Sequence, residues 1–181
     1  MADREDLTPT GRVILGMLAM GNSSGYDIKQ FVDKSTRHFW AASYGQIYPE
    51  LKRLEDAGLV QGRQEPTGER ARTVYDVTDA GREALHSWLA SSEPLAYELR
   101  DEGMLKLFFS DNLPERRVEI IREMRERSER KLAQLRAIRP HAEGGPTGPR
   151  LTLDLGMTAT ECLIKWCEAT ERRLADDREM E

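Results

Sequence analysis

SYGQIYPELKRLEDAGLV, residues 43–60, reads as one capped helix with a proline inside it. Ser43 fits an N-cap, Ile47, Leu51 and Leu54 recur at helical spacing, and Gly58 stands where a left-handed C-terminal cap belongs. On a wheel of about 100° per residue with Ile47 at the origin, Leu51 falls at about 40° and Leu54 at about −20°. These three form an apolar face. Opposite lie Gly45 at about 160°, Lys52 at about 140° and Pro49 at about 200°, with Tyr48 at about 100° and Gln46 and Arg53 on the flanks. Pro49 removes a backbone hydrogen bond to the Gly45 carbonyl, which costs about 3 kcal/mol in a helix interior. The question this stretch raises is what its outward side faces.

Upstream, Thr8-Pro9 fits an N-cap followed by a helix-opening proline, and Val13, Ile14, Met17 and Leu18 form an apolar face. Gly21-Asn22-Ser23-Ser24 ends that helix and caps a second one carrying Tyr26, Ile28, Phe31 and Val32. Downstream, residues 59–64 and 73–77 read as short strands, joined through Glu65-Pro66-Thr67-Gly68-Glu69 as a turn. Thr78 caps a fourth helix holding Ala80, Leu85, Trp88 and Leu89. Three helices, a two-stranded hairpin and a further helix make the order of a winged helix-turn-helix, assigned to residues 1–92. The expected fold class is mainly α with a small β-hairpin.

Residues 93–181 read as a C-terminal helical domain. An apolar helix, MLKLFF at 104–109, ends near Asn112-Leu113-Pro114. A long charged helix follows over 114–138, with Val118, Ile121, Leu132, Leu135 and Ile138 on one stripe that Arg125 and Ser128 interrupt. HAEGGPTGP, 141–149, is a flexible loop by composition, and the last helix, from about residue 150, carries Leu155, Ala159, Leu163 and Trp166. Half-apolar helices of this length need a partner to cover them. Either an intramolecular hairpin or a dimer arm answers that need, and the dimer is the expectation, centred on residues 150–175.

The chain has 181 residues, 33% of them charged and 7% aromatic, with a formal net charge of −5. It begins Met1-Ala2-Asp3-Arg4-Glu5-Asp6 with no apolar segment, so no signal peptide is expected, and no run reaches the roughly 18 apolar residues of a membrane span. Cys162 and Cys167 fall about 140° apart on one helix, so a mutual disulfide is not expected. A cytoplasmic location follows. The acidic total argues mildly against nucleic acid, yet residues 34–72 hold seven basic side chains against five acidic ones. His38, His86 and His141 are scattered, and no G-x-S-x-G, P-loop or H-E-x-x-H motif occurs. No enzyme, metal site or cofactor is expected.

Y-G-x-I-Y-P-x-L-x-R-L-E-x-x-G-L within HFWAASYGQIYPELKRLEDAGLV, followed by Y-x-V-T-x-x-G within YDVTDAGREALHSWL, resembles the PadR family of bacterial transcriptional regulators. ILGMLAMGNSSGYDIKQ is similar to the family's first two helices. DEGMLKLFFSDNL and the long helices after it resemble the C-terminal domain of its virulence-activator-like subgroup, so the likeness spans about residues 8–175. The resemblance implies a homodimer whose C-terminal helices exchange across a two-fold axis. It implies a palindromic double-stranded DNA operator as partner, usually under repression, with release by a small aromatic effector in some members.

By position, the resemblance hands candidate DNA contacts to Tyr44, Gln46, Tyr48 and Lys52 on the recognition helix and to Arg63, Arg70 and Arg72 on the wing. His38, Phe39, Trp40 and Trp166 are the candidate effector residues. The outward side of the 43–60 helix then faces a DNA groove, where Gly45 permits close backbone approach and Lys52 brings charge. The alternative, a winged helix that docks a protein, calls for an acidic or apolar outward face. Tyr, Gln, Lys and Arg stand there instead.

Overall fold

Thr8 sets the first helix. Its hydroxyl accepts from the Gly11 amide at 2.9 Å and Pro9 follows it, so α1 (Pro9–Ala19) begins with a side-chain cap and a preset φ. Gly21, at φ 95°, turns the chain, and Ser24 caps α2 (Gly25–Lys34) by accepting from the Asp27 amide at 3.1 Å. The computed structural model describes residues 7–21, 23–36, 39–40, 44–67, 70–95 and 97–179, without the side chains of 44, 67, 70, 71 and 177–179. Asn22, the expected Ser43 cap and the hairpin tip Gly68-Glu69 therefore lie outside the described residues.

Helix α3 (Tyr44–Asp56) runs through Pro49. Its Ile47, Leu51 and Leu54 are fully buried against Ile14, Leu15, Leu18, Ile28 and Val32. Each such side chain contributes about 1.5–3 kcal/mol by leaving water, which outweighs the one hydrogen bond Pro49 removes. Gly58, at φ 71°, ends the helix. Its amide bonds the Glu55 carbonyl at 2.9 Å and the Leu59 amide bonds the Leu54 carbonyl at 2.8 Å, the paired closure of a Schellman motif.

Strands β1 (Val60–Thr67) and β2 (Arg70–Val77) pair antiparallel, from Val60 opposite Val77 to Thr67 opposite Arg70. They are longer than expected: Glu65, Pro66 and Thr67 belong to β1 and not to a turn. A two-stranded ribbon has an unpaired edge on each side, so a proline can stand within it. Thr78 caps α4 (Asp79–Leu89) by accepting from the Gly81 amide, and donates to the Gly58 carbonyl at 2.7 Å. A Cβ on Gly81 would lie 2.0 Å from the Leu59 carbonyl oxygen, so only glycine fits there. Ala84 and Leu85 pack on the core. Trp88 and Leu89, expected with them, are exposed, and the Arg12 guanidinium lies 5.4 Å from the Trp88 ring centre.

The chain divides into two units, Met1–Leu95 and Ala96–Glu181. In the second, Asp101 caps α5 (Glu102–Phe108), and 3-10 turns at Ser110–Asn112 and Pro114–Arg116 lead into α6 (Arg117–Ala142). α6 outruns its expected end at 138 and continues through Pro140, which removes one backbone hydrogen bond, to the Arg136 carbonyl, in the final turn. A short turn with Gly144 at φ 80° replaces most of the expected 141–149 loop, and α7 (Thr147–Glu179) returns along α6. Ile120, Ile121 and Met124 pack with Cys167, and Leu132 and Leu135 with Met157. Between these clusters buried Ser128 bonds the Met124 carbonyl, and beside the first cluster Arg125 reaches Glu171 at 2.8 Å and Glu129 at 2.8 Å.

The residues expected on the apolar stripe of α7 divide: Leu163 packs with the cluster of Ile121 and Cys167, and Leu155 and Trp166 stay outside it. Leu153, Met157, Ile164 and Cys167 face α6, while Leu155 is 68% and Trp166 42% exposed. Two apolar edges coexist on this helix, and the hairpin uses only one. Cys162 is exposed and Cys167 buried, both as free thiols.

Charge also ties α1 to α3. The Glu50 carboxylate accepts from the Thr8 hydroxyl and meets Arg53 at 2.8 Å, and it reaches under α1 because Gly11 has no Cβ to block it. Burial acts to raise the Glu50 pKa, but the Arg53 and Thr8 hydrogen bonds and the Arg53 charge outweigh it and hold it below the usual 4.5. A depressed carboxylate adds stability above its unfolded value and loses it as pH falls through the folded one. Glu50→Gln is therefore expected to destabilise the fold by about 1–2 kcal/mol at pH 7. In urea unfolding at a series of pH values, its gap to the parent should shrink below pH 4.5. A gap that stays constant down to the acid limit would remove this role.

Candidate nucleic-acid interface

The buried Ile47–Leu51–Leu54 stripe presents the other side of α3 outward. Gln46, Tyr48, Pro49 and Lys52 are exposed there, Tyr48 to 50%. Tyr48 has a second duty. A Cβ on Gly25 would come within 2.7 Å of its ring, so the start of α2 crosses α3 directly beneath the tyrosine. The glycine is what allows that crossing, and the phenol edge is left outward. Arg53 is drawn back to Glu50. The side chain of Tyr44 lies outside the described residues.

The wing carries its cations in pairs. Arg63 meets Glu65 at 3.0 Å and Asp76 at 3.3 Å, all three well exposed, so each pair is worth about 0–1 kcal/mol and yields readily to a stronger anion. Arg72 meets Asp27 at 2.9 Å and the Ser23 hydroxyl at 3.1 Å, which joins β2 to the head of α2. The side chain of Arg70 lies outside the described residues. The Gly62 amide donates to Glu55 Oε1 at 2.9 Å and joins β1 to the last turn of α3. Tyr75 lies against this junction. Burial, with the Glu55 carboxylate and Tyr48 nearby, pushes its phenol above the usual 10.0, so it stays a neutral donor.

Sequence reasoning passed over Asp27, Glu55 and Tyr75. Asp27 and Arg72 stand 45 residues apart, and no local spacing announces that they meet. The Y-x-V-T motif, with Tyr75 at its head, was the only signal within reach. Of the candidate effector residues, Phe39, Trp40 and Trp166 are exposed, and His38 lies outside the described residues. Among the described residues no group of His, Cys, Asp and Glu is placed to hold a metal, and no helix is long and apolar enough to cross a membrane.

This geometry has counterparts. The model of the Transcriptional regulator PadR-like family matches residues 14–87, and that described as Virulence activator alpha C-term matches residues 99–175. The negative transcriptional regulator PadR of Bacillus subtilis is 41% identical over 97 residues, 53% of this chain and 53% of that protein. By sequence the chain thus spans about half the length of that relative. By fold the likeness is longer. Bacillus subtilis PadR in complex with operator DNA gives a TM-score of 0.82 at 30% identity, covering 90% of this chain and 96% of that one. The same regulator in complex with p-coumaric acid gives 0.75 at 27% identity, covering 93% and 98%. The chain belongs to the PadR-like family of transcriptional regulators, a family of DNA-binding proteins and not of enzymes.

Proposed function

We propose that this chain is a cytoplasmic, homodimeric repressor that reads a palindromic DNA operator with α3 and the wing and is released by a small aromatic ligand. One observation carries the reading. The polar outward edge of α3 stands on a fully buried apolar stripe, in a fold that superposes on a regulator solved with operator DNA. Gln46, Tyr48 and Lys52, with Tyr44 at the helix start, are the base-side residues. Arg63 and Arg70 are the wing's phosphate ligands. The net charge of −5 is no obstacle, because the operator meets only this face.

Sequencing of bound genomic fragments supplies the operator, and affinities at several salt concentrations assign the contacts. A base-reading side chain lost as Gln46→Ala or Tyr48→Phe should cost about 1–3 kcal/mol and relax preference at one operator position. Lys52→Ala is expected either to do the same or to weaken all sequences alike, with a salt slope lower by about one per contact, doubled in a two-fold dimer. Phenylalanine is chosen at Tyr48 so that the ring stays on Gly25. Folded Gln46, Tyr48 and Lys52 variants that all bind as tightly as the parent would overturn the assignment.

The dimer rests on the outer edge of α7, where Leu151, Leu155 and Trp166 are exposed while the inner edge packs on α6. Removing α7 would also strip the cover from α6, so a surface change is the cleaner test. Leu155→Glu together with Trp166→Glu is expected to give a folded monomer in sedimentation equilibrium. A variant that stays dimeric would place the interface elsewhere.

Phe39 and Trp40, with His38, in the N-terminal unit and Trp166 in the C-terminal unit are each aromatic groups offered to an effector, and the regulator solved with p-coumaric acid gives that class its precedent. Titration with p-coumaric acid should quench tryptophan fluorescence and weaken operator binding. Trp40→Phe and Trp166→Phe together should abolish the quenching. Unchanged quenching in that double variant would move the site away from both rings.

A further inference from the structure

We propose that Arg72 serves recognition as a positioning residue and not as a phosphate ligand: held by Asp27, it sets the angle of the wing against α3. This rests on the DNA-binding reading above. The wing is a ribbon that leaves the core at Val60 and Val77. A two-stranded ribbon by itself is marginally stable and free to swing. Here it is braced on both strands. On β2, Arg72 donates to Asp27 and Ser23, and the Tyr75 amide donates to the Ser23 carbonyl at 2.6 Å. On β1, the Gly62 amide donates to Glu55 of α3. Both helices of the helix-turn-helix therefore hold the wing, one through each strand.

The surroundings of Arg72 argue against a phosphate as its usual partner. Asp27 sits in the first turn of α2, where the helix dipole favours its negative charge, and the Ser24 hydroxyl donates to it at 2.8 Å. The anion that this helix end and this guanidinium would take from DNA is already supplied by the protein as the Asp27 carboxylate. A phosphate would have to displace a well-bonded carboxylate and then lie beside it. Arg63, whose partners are more exposed, has no comparable anchor.

The two roles predict opposite signs for one substitution. Asp27→Asn keeps the size of the side chain and an oxygen for the Ser24 hydroxyl but removes the charge. If Arg72 were a phosphate ligand, this change would free it, remove a repulsive acid and tighten binding. As a brace it should weaken operator binding roughly tenfold, within the range for residues coupled in one ion-pair network. Arg72→Ala should lose a similar factor, the double variant should be no worse than either single one, and the salt slope should match the parent's. Arg72→Gln, which keeps reach toward Ser23, serves if Arg72→Ala fails to fold by circular dichroism. In hydrogen exchange without DNA, the Tyr75 amide should exchange faster in each variant. Asp27→Asn that binds as tightly as the parent or tighter, a reduced salt slope in Arg72→Ala, or losses that multiply in the double variant would each overturn the brace. A role in stability alone would leave the affinity of the folded variants unchanged, which also overturns it. A parent protein that bound no genomic fragment would fail the DNA-binding reading, and the recognition role with it. The exchange of the Tyr75 amide would still report the brace itself, so the two failures are told apart.

Discussion

The corner where α3 ends and the wing begins holds the N-terminal unit together. Gly58 adopts the left-handed turn that stops α3, and its carbonyl takes the hydroxyl of Thr78. The next carbonyl, of Leu59, takes the Thr78 amide at 3.1 Å and lies where a Cβ of residue 81 would be. One peptide corner thus joins the end of α3, the base of both strands and the start of α4. Each partner here is backbone or a short side chain, so the spacing tolerates almost no adjustment. The two sequence motifs that carry the family resemblance, one ending at Gly58-Leu59 and one at Thr78 to Gly81, are the two halves of this corner.

With the corner fixed, charge decides how the outer face is presented. Arg53, Arg63 and Arg72 all have carboxylate partners within the chain. The half-buried Glu50–Arg53 pair with Thr8 fastens α3 to α1, and Arg72 with Asp27 fastens the wing to α2. The pairs of Arg63 are the most readily traded for another anion, while the Arg72 pair, 41% and 31% exposed, has the Ser24 hydroxyl and the head of α2 behind its carboxylate. A chain of negative net charge can therefore present a short basic and polar edge without a broad basic surface. Such a face favours shape and a few directed contacts over long-range attraction.

The C-terminal unit uses a different economy. α6 and α7 meet through two apolar clusters separated by Ser128, with the Arg125–Glu171 pair beside the first. A polar step of this kind adds little to stability, yet a slipped register would leave its charges unpaired in a partly buried place. The hairpin consumes one edge of α7 and leaves the other apolar. On α5, Met104, Leu105, Phe108 and Phe109 are exposed as well.

Much of this was legible in the sequence because it depends on local chemistry. Thr8-Pro9, Ser24, Gly58 and Thr78 are caps and stops whose action spans only a few residues. The Ile47–Leu51–Leu54 stripe follows from the helical period alone. The element order, and with it the winged helix, followed from these. Strand length was misjudged, because Pro66 ends a strand only where its missing amide would be needed, and a ribbon edge does not need it. Which apolar residues of α7 pack within the hairpin was not legible for a related reason: a helix with two apolar edges contains no local sign of which edge meets α6. The Arg72–Asp27 and Gly62–Glu55 ties were out of reach altogether. An ion pair or a single hydrogen bond between distant residues leaves no periodicity, and only the folded corner brings those groups within bonding distance. The sequence by itself determined where the chain turns and which residues leave water; the tertiary structure decided which charges are consumed inside the fold and which edge is left exposed.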